Sequence, residues 1–151
     1  MRQAGWIPGL LVLVLDLSKG YLPVYLASQI APVPWILPLT AALVVVGHCW
    51  PIFAHFRGGM GLAPAGGAIL AISPTGFFTC VLALVLLLLL LRHAARASLF
   101  AGLVISPLLW LVGLRGAPVW IAAAVGSVIA LRFLRDWNRR YKELWLDRPS
   151  K

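Results

Sequence analysis

Long apolar stretches dominate this chain, and charged residues, prolines and glycines cut them into segments near 6–28, 35–54, 62–73, 75–91, 97–113 and 117–134. A run of about 20 apolar residues is what an α-helix needs to cross a bilayer, where the backbone must satisfy its own hydrogen bonds. The third segment is too short for a straight span. Its Pro64, Gly66 and Gly67 suit a short, tightly packed helix or a re-entrant hairpin that other helices cover. The stretch 77–91 is dominated by leucine and valine and reads as the most lipid-facing helix. The pattern therefore predicts an all-α fold: a polytopic transmembrane helical bundle of about six membrane segments, one of them short or re-entrant. No segment shows a repeating polar face and no second half mirrors a broken helix, which argues against a channel or small transporter.

Composition narrows the class further. Hydrophobic residues make up 62% of the 151 and charged residues 11%, with a mean hydropathy of +0.95, which excludes a water-soluble globular domain. The length leaves no room for a separate soluble unit, so 1–151 reads as a single transmembrane domain. The net charge of +9 does not indicate nucleic acid, because the lysines and arginines sit between apolar runs and in the tail. They read as topology signals and as contacts to the headgroups of membrane lipids. If the short segment crosses, Arg2, Arg57, the Arg92/His93/Arg96 turn and the basic tail 132–151 share one side, leaving Arg115 on the other. The positive-inside rule then makes both termini cytoplasmic. In the tail, Trp137, Tyr141 and Trp145 stand among Arg139, Arg140 and Lys142, the composition of an interfacial C-terminal helix. Cys49 and Cys80 lie in separate apolar segments and read as small buried hydrophobes, and Asp16 and Lys19 interrupt the first run, which argues against a cleavable signal peptide.

Two features could carry chemistry. Asp16 and Lys19 would each cost about 2.5–3.5 kcal/mol at a bilayer centre, and their i,i+3 spacing lets them pair on one helix face. They are either a structural ion pair or the polar wall of a headgroup or substrate site. The second feature is the segment 47–64, where Gly58, Gly59 and Gly61 follow Arg57. Backbone N–H groups there can approach an anion closely, a helix starting near Leu62 would aim its positive end at the same point, and Arg57 could bind bidentately. An ordinary tight turn is the alternative. His48 is a candidate proton acceptor or a satisfied hydrogen-bonding group. A metal site from His48, Cys49 and His55 is disfavoured, since two of the three are adjacent in sequence and no carboxylate is nearby in sequence. The Arg92/His93/Arg96 turn reads as a topology determinant.

Asp16, Lys19, Gly20 and Pro23 match a D-x-x-K-G-x-x-P segment. Gly47, His48, Pro51, Phe53, Phe56, Gly58, Gly59, Gly61 and Ala63 match G-H-x-x-P-x-F-x-x-F-K-G-G-K-G-V-A-T, with Arg57 in place of the first lysine. In this order and spacing, from Gly5 to near the C-terminus, the chain resembles the bacterial membrane glycerol-3-phosphate acyltransferases that use acyl phosphate as donor. It departs from them where Met60 replaces the second lysine and Pro64 the final threonine. Near the C-terminus, Arg135, Asp136, Trp137 and Asn138 stand where the family has H-R-E-N, so the asparagine is kept and the histidine is not. The family's first helix and a cytoplasmic S-G-N-x-G-A-T-N loop have no counterpart after Met1, so the chain is expected to be either an N-terminally shortened gene model or a genuinely reduced homologue of the family.

The resemblance implies acyl transfer from acyl phosphate to the 1-hydroxyl of glycerol 3-phosphate in the bacterial inner membrane, with no cofactor and no metal. It implies His48 and Asn138 as catalytic residues, with Arg57, Gly58, Gly59, Gly61, Asp16, Lys19 and Arg139 holding phosphate or substrate. Met60, Arg135 and the absent loop lead to the expectation of weak or absent turnover on a family-like scaffold. The competing expectation is a non-catalytic membrane homologue that binds phospholipid or acyl-phosphate headgroups.

Overall fold

The computed structural model describes residues 6–30 and 33–137, and among them the secondary structure is helical, with no strand. Six α-helices follow in order: α1 (Trp6–Ile30), α2 (Ile36–Cys49), α3 (Leu62–Leu70), α4 (Pro74–Leu91), α5 (Ala94–Leu111) and α6 (Ala117–Leu134). A one-turn 3-10 segment, Ile52–Ala54, follows α2. Five of the helical stretches are long and apolar enough to cross a membrane. The nine residues of α3 rise only about 14 Å, which is half a hydrocarbon core.

Local chemistry sets the ends. Pro51 lacks an N–H and disfavours helical geometry at Trp50, so α2 stops at Cys49 although the apolar run continues to residue 54. The crossing is completed by the 3-10 turn. At the start of α4, Ser73 Oγ accepts the Gly76 N–H at 3.0 Å and Pro74 occupies the first helical position, where its missing donor is harmless. Pro64 is tolerated in α3 for the same reason, because it lies in the first turn. Arg92 ends α4 in the left-handed region at φ 46° and His93 begins α5, so the basic turn contributes Arg96 to the helix itself. The expected interfacial helix falls mostly on 138–151, outside the described residues, and 132–134 are the last turn of α6.

Membrane helices gain little from burying leucine against leucine, since lipid is equally apolar, so their association depends on close van der Waals packing of small residues. Two such contacts organise this bundle. On α1 and α3, a Cβ at Gly20 would lie 1.9 Å from the Pro64 carbonyl oxygen, and one at Gly67 would lie 2.0 Å from that of Leu17. On α5 and α6, Gly102 and Gly126 meet backbone to backbone, a Cβ on Gly126 falling 2.2 Å from the Gly102 oxygen. Between them, Val45, Leu109, Ile121, Val125 and Phe133 form a fully buried layer joining α2, α5 and α6. The leucines of α4 face outward as the sequence indicates, with Leu82, Leu86 and Leu90 exposed.

A methyl group at Gly20 has only rigid backbone to push against, so Gly20→Ala should destabilise the bundle by about 1–3 kcal/mol. Gly47 lies in α2 with nothing within 4 Å of its would-be Cβ, so Gly47→Ala should be neutral or stabilising by about 0.5–1 kcal/mol. Unfolding curves of the two variants in mixed micelles measure both, and equal effects would refute the packing argument.

Candidate functional site

Asp16 sits on α1 where a carboxylate would otherwise meet lipid, and two groups answer it. Lys19, one turn on, donates to its Oδ1 at 2.9 Å, as the i,i+3 spacing indicates. From the last turn of α2, His48 brings Nδ1 to 3.7 Å from the same oxygen, both side chains being largely buried at 17% and 18% exposure. The other imidazole nitrogen faces the glycine loop, and a Cβ at Gly59 would lie 2.2 Å from Nε2. Glycine at 59 thus makes room for the ring.

The loop folds back on α2. The Gly58 N–H donates to the Cys49 carbonyl and the Gly59 N–H to the His48 carbonyl, each at 3.2 Å. These bonds answer carbonyls that the end of α2 would leave unpaired. The Gly58 and Gly59 amides are thereby engaged with the end of α2. The free donors lie further on. Gly61 adopts φ 78° as the N-cap of α3, and the first amide bonded back within the helix is that of Ala65, to the Gly61 carbonyl at 3.1 Å. The amides of Leu62 and Ala63 in the first turn make no hydrogen bond among the described residues. The start of α3, which the sequence reading also directs at this point, therefore carries amides without an intrahelical partner.

These groups surround one end of a cavity of about 530 Å³. Asp16, His48, Gly59, Met60, Gly61, Leu62 and Ala63 form its polar end. The rest runs between α3, α4, α5 and α6 past Phe77, Cys80, Leu84, Ile105, Val125 and Ile129, with Gly102 and Gly126 in its wall. Arg57 is exposed on the outer side of the loop and does not line the cavity, and Lys19, 63% exposed, reaches it only through Asp16. Gly58 likewise lies outside the lining. Asn138 and Arg139 lie outside the described residues.

Sequence reasoning missed a second polar group. Arg132, read as part of a basic tail, is largely buried on α6 and donates from Nη1 to Asp136 Oδ2 at 2.7 Å. The Arg96 guanidinium stacks 5.1 Å from the centre of the Trp137 ring, which also meets Phe100 edge to face. The i,i+4 spacing of Arg132 and Asp136 was the signal available in the sequence.

Comparison with known proteins bears on this site. Residues 1–143 match the family model described as glycerol-3-phosphate acyltransferase. A glycerol-3-phosphate acyltransferase of Rubrobacter xylanophilus is 34% identical over 93% of this chain and 67% of its own length. The crystal structure of an integral membrane glycerol 3-phosphate acyltransferase in its glycerol 3-phosphate form superposes with a TM-score of 0.76 at 31% identity, over 91% of this chain and 70% of that one. Its lysophosphatidic acid form gives 0.77 at the same identity, over 91% and 71%. The chain spans from about half to three quarters of the length of the relatives it matches.

A methyl at position 59 would push against the tip of a movable side chain, whereas one at 58 would lie 2.1 Å from the His48 carbonyl oxygen. Gly59→Ala should therefore keep stability within about 1 kcal/mol of the parent while shifting the His48 ring resonances in a nitrogen-15 histidine spectrum. Gly58→Ala should lower the unfolding midpoint clearly, by about 1–3 kcal/mol.

Proposed function

We propose, since this chain belongs to the glycerol-3-phosphate acyltransferase family, that it moves an acyl group from acyl phosphate to the 1-hydroxyl of glycerol 3-phosphate, giving lysophosphatidic acid. One observation carries the reading: the Asp16–His48 pair and the start of α3 form the polar end of an otherwise apolar cavity. A phosphate head joined to a hydrocarbon tail is the matching chemistry. The solved relatives named for glycerol 3-phosphate and lysophosphatidic acid support it.

Acyl phosphate is already activated, so no acyl-enzyme is needed. Asp16 faces Nδ1 of His48 and favours the tautomer whose Nε2 can accept a proton. As the substrate hydroxyl oxygen bonds to the acyl carbon, Nε2 takes its proton. The amides of Leu62 and Ala63 stabilise the negative oxygen that develops on that carbon. The bond from carbon to the phosphate oxygen then breaks, phosphate leaves with the electron pair, and the imidazolium returns its proton to it. Lys19 offsets the charge of Asp16 through their contact at 2.9 Å. Arg57, exposed beside the cavity mouth, draws the incoming phosphate from solvent. Asn138 and Arg139, which directly follow Trp137 in sequence, take the substrate hydroxyl and phosphate. The mouth faces the cytoplasm, as do the start of α1 and the end of α6, because Arg57, Arg92, Arg96 and Arg132 share that side.

Turnover is slow in this reading. Met60 lines the cavity where the motif has lysine, and a lost charge-assisted contact is worth about 1.5–3 kcal/mol, roughly tenfold or more in rate or affinity. Purified protein in nanodiscs, supplied with acyl phosphate and glycerol 3-phosphate, should form lysophosphatidic acid about ten- to a hundredfold more slowly than the Rubrobacter xylanophilus relative, as read by mass spectrometry. Met60→Lys should raise the rate several-fold and His48→Ala should abolish it. An ordinary enzymatic rate would refute the slow-turnover clause. Binding of either substrate without any product would favour a non-catalytic binder.

A further inference from the structure

We propose that Arg132 is the phosphate-facing cation of this protein, standing in for the positive charge that is absent at Met60; the inference rests on the acyl-transfer reading above. The first observation is an unanswered buried donor. Arg132 is largely buried, its Nη1 is used by Asp136, and its Nε is buried without a hydrogen-bond partner among the described residues. Unpaired buried N–H groups are rare in finished folds, and a bound anion is one way to answer them. Arg96 repeats the pattern, with Nε buried and unpartnered among the described residues and its guanidinium over Trp137, the residue after Asp136.

The second observation is place. Val125 and Ile129 line the cavity, and Arg132 follows Ile129 by three residues and Val125 by seven, on the same face of α6. Helix α6 packs along α2, whose last residue, Cys49, lies against Gly61, where a Cβ would lie 2.6 Å from Sγ. Arg132 therefore stands one turn beyond the cavity lining, on the face of α6 that supplies Val125 and Ile129, and is not itself part of that lining. A guanidinium there offers a phosphate monoester a forked, permanently charged donor set. Both glycerol 3-phosphate and acyl phosphate present that group.

Calorimetric titration of the full chain in detergent micelles, with glycerol 3-phosphate and with octyl phosphate as the unreactive analogue of the donor, tests the assignment. Arg132→Gln should weaken one of the two ligands tenfold or more, and the one affected identifies which phosphate Arg132 holds. Arg132→Lys should retain most of the affinity, and adding Met60→Lys to Arg132→Gln should restore it. Asp136→Asn keeps the guanidinium but breaks its ion pair, and should hold or tighten binding. If Asp136→Asn weakens binding as Arg132→Gln does, with no rescue by Met60→Lys, the role is structural and the inference fails. Unchanged affinity in Arg132→Gln overturns the inference alone and leaves the acyl-transfer reading standing. If the parent protein binds neither phosphate, both fall. Should Arg132→Gln fail to fold, the contrast between Arg132→Lys and Asp136→Asn decides the question.

Discussion

A carboxylate partway along a membrane helix must find partners or the helix will not rest there, and the meeting of Asp16 with His48 and Lys19 satisfies that demand. Much of the architecture follows from it. The pairing holds the end of α2 against α1 at one level, and the carbonyls freed at that end draw the next two glycine amides back onto the helix. The loop can then leave only in the direction that starts α3 beside Gly20. A short helix that could not stand alone in lipid is held by the backbone of α1 on one flank and by α4 on the other.

The result is a cavity of two characters. Its charged and dipolar groups are confined to one end, and the remaining wall is hydrocarbon. Water reaching the polar end finds donors and acceptors already committed or aimed inward, which strengthens every electrostatic contact made there. Met60 lies among the groups of the polar end, and its flexible thioether extends the apolar wall into a position where the motif G-G-K-G has lysine.

Legibility from the sequence followed the range of the interactions. Helix number, the outward face of α4 and the Asp16–Lys19 pair were readable because each depends on neighbours within a turn or two of chain. The apolar segment 35–54 was legible as a span, whereas the break inside it after Cys49 was not, because Pro51 acts on the backbone and not on hydropathy. Residues 47–64 offered an anion the amides of Gly58, Gly59 and Gly61 together with the start of a helix near Leu62. The engagement of the Gly58 and Gly59 amides with the end of α2 was not readable, because it depends on where α2 stops, a fact no local pattern contains. Arg132 was taken for a tail residue, since only the packing of α6 against α2 buries it. The motif residues brought together, Asp16, His48, Gly59 and Gly61, span 45 positions of sequence around one end of one cavity.

Gly102 and Gly126 put main chain instead of side chain into the wall of that cavity, where α5 and α6 touch. A wall of side chains can swing between rotamers and admit guests of graded size, but a patch of touching peptide groups has no such freedom. The width available to a hydrocarbon tail at that point is therefore a fixed rule written into two helices. Evolution could narrow it only by changing the residues beside those glycines, or widen it only by parting the helices themselves.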